Sequence, residues 1–144
     1  MMRQLAFDFD AAPTVGMHQG VPQWRQERGR RAFLSGQAAE DMVARLYEGR
    51  GVQVLARRWR GISGEIDLVL RAPDTYVFCE VKRAATHDLA LQRLHQGQLQ
   101  RIYHAASEYI GLTPEGQLAP VLFDVATVDG IGSVNILEAA FGLF

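Results

Sequence analysis

Two short stretches constrain this chain more than any other feature: Glu65-Ile66-Asp67-Leu68-Val69-Leu70 and Val77-Phe78-Cys79-Glu80-Val81-Lys82. Both are rich in β-branched and bulky apolar residues and have the length of a strand. Ala72-Pro73-Asp74-Thr75 between them has the composition of a tight turn, so the strands are expected to be antiparallel neighbours. Alternation with a period of two then sends Ile66, Leu68 and Leu70 to one face and Asp67 to the other. In the second stretch Glu80 and Lys82 share a face, with Cys79 and Val81 behind them. Charged groups inside strands otherwise built for a core are what the rest of the reading must explain.

The remaining pattern supplies the frame. Ser35 can cap a helix whose apolar positions are Ala38, Ala39, Met42, Val43 and Leu46, and Gly49 and Gly51 stop it. Val52 to Trp59 reads as a strand and Gly61 to Gly64 as a turn. Leu89 to Ile110 reads as one long helix with Leu91, Leu94, Ile102, Ala106 and Tyr109 along one side and Gly97 as its weak point. Pro114 and Gly116 break the chain, and Val121–Val128 and Val134–Leu137 read as two further strands. The order α-β-β-β-α-β-β predicts an α/β fold, a mixed sheet flanked by helices. Residues 1–31 contain prolines and glycines without apolar periodicity and are expected to be a flexible tail, leaving 32–144 as one domain.

Composition narrows the chemistry. The 144 residues suit one domain. No apolar run approaches the roughly 18 residues of a membrane span, and no secretory signal pattern is present. The lone cysteine, Cys79, excludes an internal disulfide framework and fits the reducing cytoplasm. One cysteine and four histidines make no zinc cage, so any metal is expected to take oxygen ligands. The net charge of −1 does not by itself call for nucleic acid, although arginines cluster at 25, 28, 30 and 31 and at Arg57, Arg58 and Arg60. Arginines on a solvated face are the ordinary explanation; phosphate contacts are the functional one.

Adjacent antiparallel strands would bring Asp67 and Glu80 close enough to grip one hard cation. Magnesium needs few protein carboxylates and leaves room for water and phosphate. A surface ion pair between Glu80 and Lys82, worth about 0–1 kcal/mol, is the plainer reading of the same residues. Two features favour chemistry. Lys82 is the only lysine beside 14 arginines, and a compact ammonium can orient a water in a way that a planar guanidinium cannot. Glu40 lies at the edge of the first helix's apolar stripe, grouped with Gly36, Val43 and Tyr47 by helical spacing, where it could add a third carboxylate.

Taken in order, Gly36-x-x-Ala39-Glu40, Gly64-Glu65-Ile66-Asp67-Leu68, Phe78-Cys79-Glu80-Val81-Lys82, Phe123-Asp124-Val125 and Ala140-Phe141 resemble the YraN-like family of small bacterial proteins. The resemblance covers about residues 31–141. It implies a restriction-endonuclease-like fold akin to Holliday-junction resolvases, with a metal-dependent nuclease site at Glu40, Asp67, Glu80 and Lys82. On that reading Asp67, Glu80, the Val81 carbonyl and Glu40 hold Mg2+ or Mn2+, and the substrate is DNA, branched or structured. The chain departs from the family at Ala84 and Gln98, where a cation is usual. Arg83 and Arg101 are candidates to replace those phosphate contacts, together with Gln98 itself, Arg57 and Arg58. The alternative is a silent nucleic-acid- or protein-binding module on the same fold. Resolvase action would call for a homodimer. Gln4-Leu5-Ala6-Phe7 resembles peptides that dock on bacterial sliding clamps, an inert tail being the plainer reading.

Overall fold

The computed structural model describes residues 22–141. The flanking stretches, including Gln4-Leu5-Ala6-Phe7 and residues 1–21 of the expected tail, lie outside the described residues.

Helix α1 runs Gln23–Gly49, starting twelve residues before Ser35. Residues 23–31, expected to belong to the tail, are therefore its first turns. Gln23-Trp24-Arg25-Gln26-Glu27-Arg28 is made of good helix formers but is polar all round, so apolar periodicity could not reveal it. Pro22 opens the helix, its carbonyl accepting from the Arg25 and Gln26 N–H groups at 3.0 and 3.1 Å, and Gln23 donates to Glu27 at 2.9 Å. Arg25 and Arg28 lie over the exposed Trp24 ring.

From Ala39 onward the chain builds one five-stranded sheet. Its strands are β1 (Gln53–Arg60), β2 (Glu65–Arg71), β3 (Tyr76–Arg83), β4 (Val121–Val128) and β5 (Val134–Leu137), hydrogen-bonded in sequence order. All neighbours are antiparallel except β3 and β4, which are parallel. That is the mixed sheet the element order predicts. The long second helix, however, is two: α2 (His87–Gln92) and α3 (Gln96–Gly111). Thr86 caps α2, its hydroxyl accepting from Leu89 N at 3.2 Å. The chain then leaves helical geometry at His95, two residues before Gly97. Leu91 and Leu94 are only half-buried, whereas Ile102, Ala105, Ala106 and Ile110 are buried. Their apparent common stripe joined two helices.

Helices cover both faces. Ala39, Val43, Ala44 and Tyr47 of α1 pack with Leu68, Leu70, Val77, Cys79, Ala126 and Val128. Ile102, Ala105, Ala106 and Ile110 of α3 pack with Ile66, Val69, Phe78 and Phe123 on the other face. Each fully buried Leu, Val or Phe contributes roughly 1.5–3 kcal/mol. Among the described residues no helix is long and apolar enough to cross a membrane.

One expected alternation fails. Leu68 and Leu70 face α1, but Ile66 joins Val69 on the α3 side. β1 breaks at the same level, since Ala56 and Trp59, three apart, both pack on the α3 side. Between the pairs Arg57↔Leu68 and Trp59↔Ile66 lie Arg58 and Asp67. Arg58 has φ 51, a left-handed backbone that breaks pleat parity. The next turn is held by α3: Glu108 accepts from Ile62 N (2.8 Å), Ser63 N (3.2 Å) and Ser63 Oγ (3.0 Å). A side chain at Gly61 would run into the Glu108 carboxylate and the Trp59 ring.

Buried Asp124 ties three segments together. It accepts from Tyr47 Oη at 2.6 Å and from Ala139 N at 3.0 Å. Removing one donor to a buried acceptor costs about 1–3 kcal/mol. Tyr47→Phe should therefore lower the unfolding free energy by that amount, read as a lower urea midpoint with an unchanged denaturant slope; an unshifted midpoint would remove Asp124 from this bracing role.

Candidate active site

The candidate site lies where two strands part. Pairing of β2 with β3 runs from Arg71↔Tyr76 to Leu68↔Cys79, while β3 stays paired with β4 as far as Arg83↔Val128. Beyond Cys79 the β2-facing edge of β3 opens into a fork. Asp67 fills it: Oδ2 accepts from the Val81 N–H at 2.8 Å, in place of the next ladder bond. N–H and C=O of one strand residue leave on the same edge, so the Val81 carbonyl also faces the fork.

Glu80 and Lys82 stand on the α3 face of β3, as alternation predicts. Glu80 is buried at 4% exposure. Its Oε2 accepts from Gln98 Nε2 of α3 at 2.7 Å and meets Lys82 Nζ at 3.3 Å. Both partners take the same oxygen. The Glu80 carboxyl also reaches that of Asp67. Burial pushes Glu80 well above the ordinary carboxylate range, the Asp67 charge adds to this, and Lys82 opposes it. Burial raises Asp67 too, against the Val81 N–H and Lys82. Two carboxyls this close do not ionise independently of one another.

Glu40 comes from α1 to the same neighbourhood. Its Oε1 accepts from Arg58 Nε at 2.8 Å, with 13% of the Glu40 and 33% of the Arg58 side chain exposed. Burial first, then the Asp67 charge, pushes Glu40 up to about 7, although Arg58 pulls it down. Glu40, Asp67, Glu80 and Lys82 are thus one electrostatic cluster.

The expected phosphate contacts divide. Arg58 belongs to the cluster through Glu40. Gln98 is buried on Glu80 rather than presented to a ligand. Arg57 is exposed and turned to Asp41. Arg101 is exposed on α3, packed along Gly64, whose added Cβ would lie 3.4 Å from Arg101 Cβ. Arg83 is half-buried as the last residue of β3, and its carbonyl accepts from Arg93 Nη1 at 2.8 Å. Ala84 is buried.

Sequence reasoning missed a second string beside Lys82. Thr127 pairs in register with Lys82. Its buried hydroxyl lies 2.6 Å from His87 Nδ1, and His87 Nε2 lies 3.6 Å from Asp129 Oδ2. No local spacing links residues 40 positions apart, and Thr127 sits in a strand that reads as apolar core.

The donor set fits a hard divalent cation of modest demand. Among the described residues no group of three or more His, Cys, Asp or Glu side chains forms a ready cage. Magnesium, however, usually takes one or two carboxylates and keeps water and phosphate for its other positions. Asp67, Glu80 and the Val81 carbonyl could supply such a set.

Raised carboxyl values fix the sign of a pH dependence. With Glu40, Asp67 and Glu80 all raised, the folded chain keeps protons that the unfolded chain releases. Their stabilisation is complete below the ordinary carboxylate value near 4.5 and is lost as pH rises through the folded value, about 7 for Glu40. In chelator-containing buffer the wild-type urea midpoint should fall from pH 5 to pH 8. Glu40→Gln should fall less; parallel profiles would place Glu40 outside the coupled cluster.

Known proteins resemble this chain closely. A family profile described as "Uncharacterised protein family UPF0102" matches residues 39–128, the stretch holding Glu40, the strand fork, α3 and Thr127. A UPF0102 protein of Cereibacter sphaeroides is 50% identical over 113 residues, covering 78% of this chain and 97% of the relative. One from Ruegeria pomeroyi is 49% identical over 115 residues, covering 80% and 94%. One from Dinoroseobacter shibae is 46% identical over 113 residues, covering 78% and 84%. The chain belongs to UPF0102, the YraN family of uncharacterised proteins.

Proposed function

We propose that this protein is a metal-dependent nuclease that hydrolyses phosphodiester bonds in DNA, with Asp67, Glu80 and Lys82 as its centre. The observation that carries the reading is the fork itself: Asp67 Oδ2 accepts from the Val81 N–H at 2.8 Å, the buried carboxyl of Glu80 belongs to the same cluster, and the chain's only lysine lies 3.3 Å from Glu80.

Asp67, Glu80 and the Val81 carbonyl would hold Mg2+ or Mn2+, with Glu40 as a further ligand. When bound, the ion supplies positive charge for the phosphate oxygens and Lewis acidity toward water. The protein's own groups do the positioning. Gln98 and Lys82 hold Glu80 through one oxygen, Oε2. The Val81 N–H holds Asp67. Lys82 would orient the attacking water by donating to it, and would offset charge that grows on the phosphate in the transition state. Arg101, Arg83 and Arg57 are the candidates for phosphate contacts, which position a duplex without reading its sequence. DNA with branches or ends, a two-fold dimer and a cytoplasmic setting complete this reading, and the segment Gln4-Leu5-Ala6-Phe7 remains a proposal for clamp docking.

A second reading has its own support. Gln98 occupies Glu80 with a neutral amide and Ala84 is buried, so two positions that could bring cations to phosphate do not. A binding module that no longer cuts would follow.

Cleavage of branched and linear DNA with Mg2+ or Mn2+ separates the two. The nuclease reading expects chelator-sensitive cutting, reduced about 100-fold or more by Asp67→Ala and by Lys82→Ala. DNA binding without metal-dependent cutting would establish the module instead.

A further inference from the structure

Arg58 is an odd residue for its place. Its φ of 51 falls where a residue bearing a Cβ is disfavoured and where glycine or asparagine is the usual occupant. In return, its guanidinium reaches the acidic cluster, with Nε 2.8 Å from Glu40 Oε1. Glu65 and Asp67 lie within the same field. With one third of its side chain exposed, this cation stands at the rim of the cluster. Lys82 serves Glu80 from the other side. The two cationic side chains divide the carboxylates between them.

We propose that Arg58 is a built-in countercation of the Glu40–Asp67–Glu80 cluster, one that an incoming divalent cation must displace from Glu40. This rests on the metal-binding reading and adds its regulation. A Glu40 oxygen that accepts from Arg58 is turned toward the guanidinium, and the same electron pair cannot serve a second cation. A positive charge held at Glu40 also repels an ion approaching Asp67, in a part-buried setting where screening by salt is weak. The left-handed backbone aims the side chain at α1, so the opposition is constructed rather than incidental. Arg58 is thus a positioning residue that sets the divalent concentration at which the site fills.

The test is Mn2+ binding to the full chain, read from the free-ion electron paramagnetic resonance signal, with no substrate present. Arg58→Asn keeps a residue suited to positive φ and removes the charge, and should tighten Mn2+ binding about tenfold. Arg58→Lys keeps the charge and should stay within about twofold of wild type. Asp67→Ala should abolish binding in either background. Unchanged or weaker binding by a folded Arg58→Asn protein overturns the proposal, as does an equal gain in Arg58→Lys, which keeps both the positive charge and the backbone strain. Absence of Mn2+ binding by wild type and Arg58→Asn alike sinks the metal reading, and this inference with it. A measurement on the wild type guards against a variant that does not fold: Mg2+ should shift the Arg58 Nε–H resonance and speed its exchange. An unmoved resonance at saturating Mg2+ contradicts displacement.

Discussion

The bond from the Val81 N–H to Asp67 Oδ2 is the hinge of this structure. A strand edge that loses its neighbour exposes backbone donors, and a buried donor without an acceptor is expensive. Here a side chain takes over where the backbone ladder stops. The substitution lets β2 and β3 separate while the Val81 N–H keeps an acceptor, and it fixes a carboxylate at the part-buried point of separation. Glu80 then has no strand between itself and Asp67, and the two acidic groups meet. Everything distinctive about the cluster follows from this departure from regular pairing.

The electrostatics are equally local. Over the whole chain the net charge is −1, yet three carboxyls are gathered here, with Arg58 and Lys82 as their ion-pair partners among the described residues. Burial and mutual repulsion keep protons on them at pH values where surface carboxylates are bare. Such a cluster costs stability in the empty protein.

Much of this was legible in the residues. The strands Glu65–Arg71 and Tyr76–Arg83 showed themselves by apolar density around a short turn, and alternation placed Glu80 and Lys82 together correctly. Four things were hidden for physical reasons. The start of α1 is polar on every side, so no stripe marks it. The break at His95 precedes Gly97 because the chain must change direction before α3, which no local preference records. Ile66 changes face because Arg58 adopts a backbone geometry that its residue type does not favour. Gln98 reads as a surface amide on a helix; only the packing of α3 over β3 reveals its grip on Glu80. The approach of Asp67 to Glu80 could be anticipated, while the upward push on both carboxyls comes from a burial that the residues alone do not display.

The clasp that Glu108 forms around Ile62 and Ser63 has a mechanical consequence. Glu108 and Gln98 are ten residues apart on α3, about 15 Å along a stiff rod. One end of that rod grips the hairpin tip and the other grips Glu80. Force applied to the protruding Ile62, which is 98% exposed, thus travels to a carboxyl of the cluster through one helix, as through the arm of a lever.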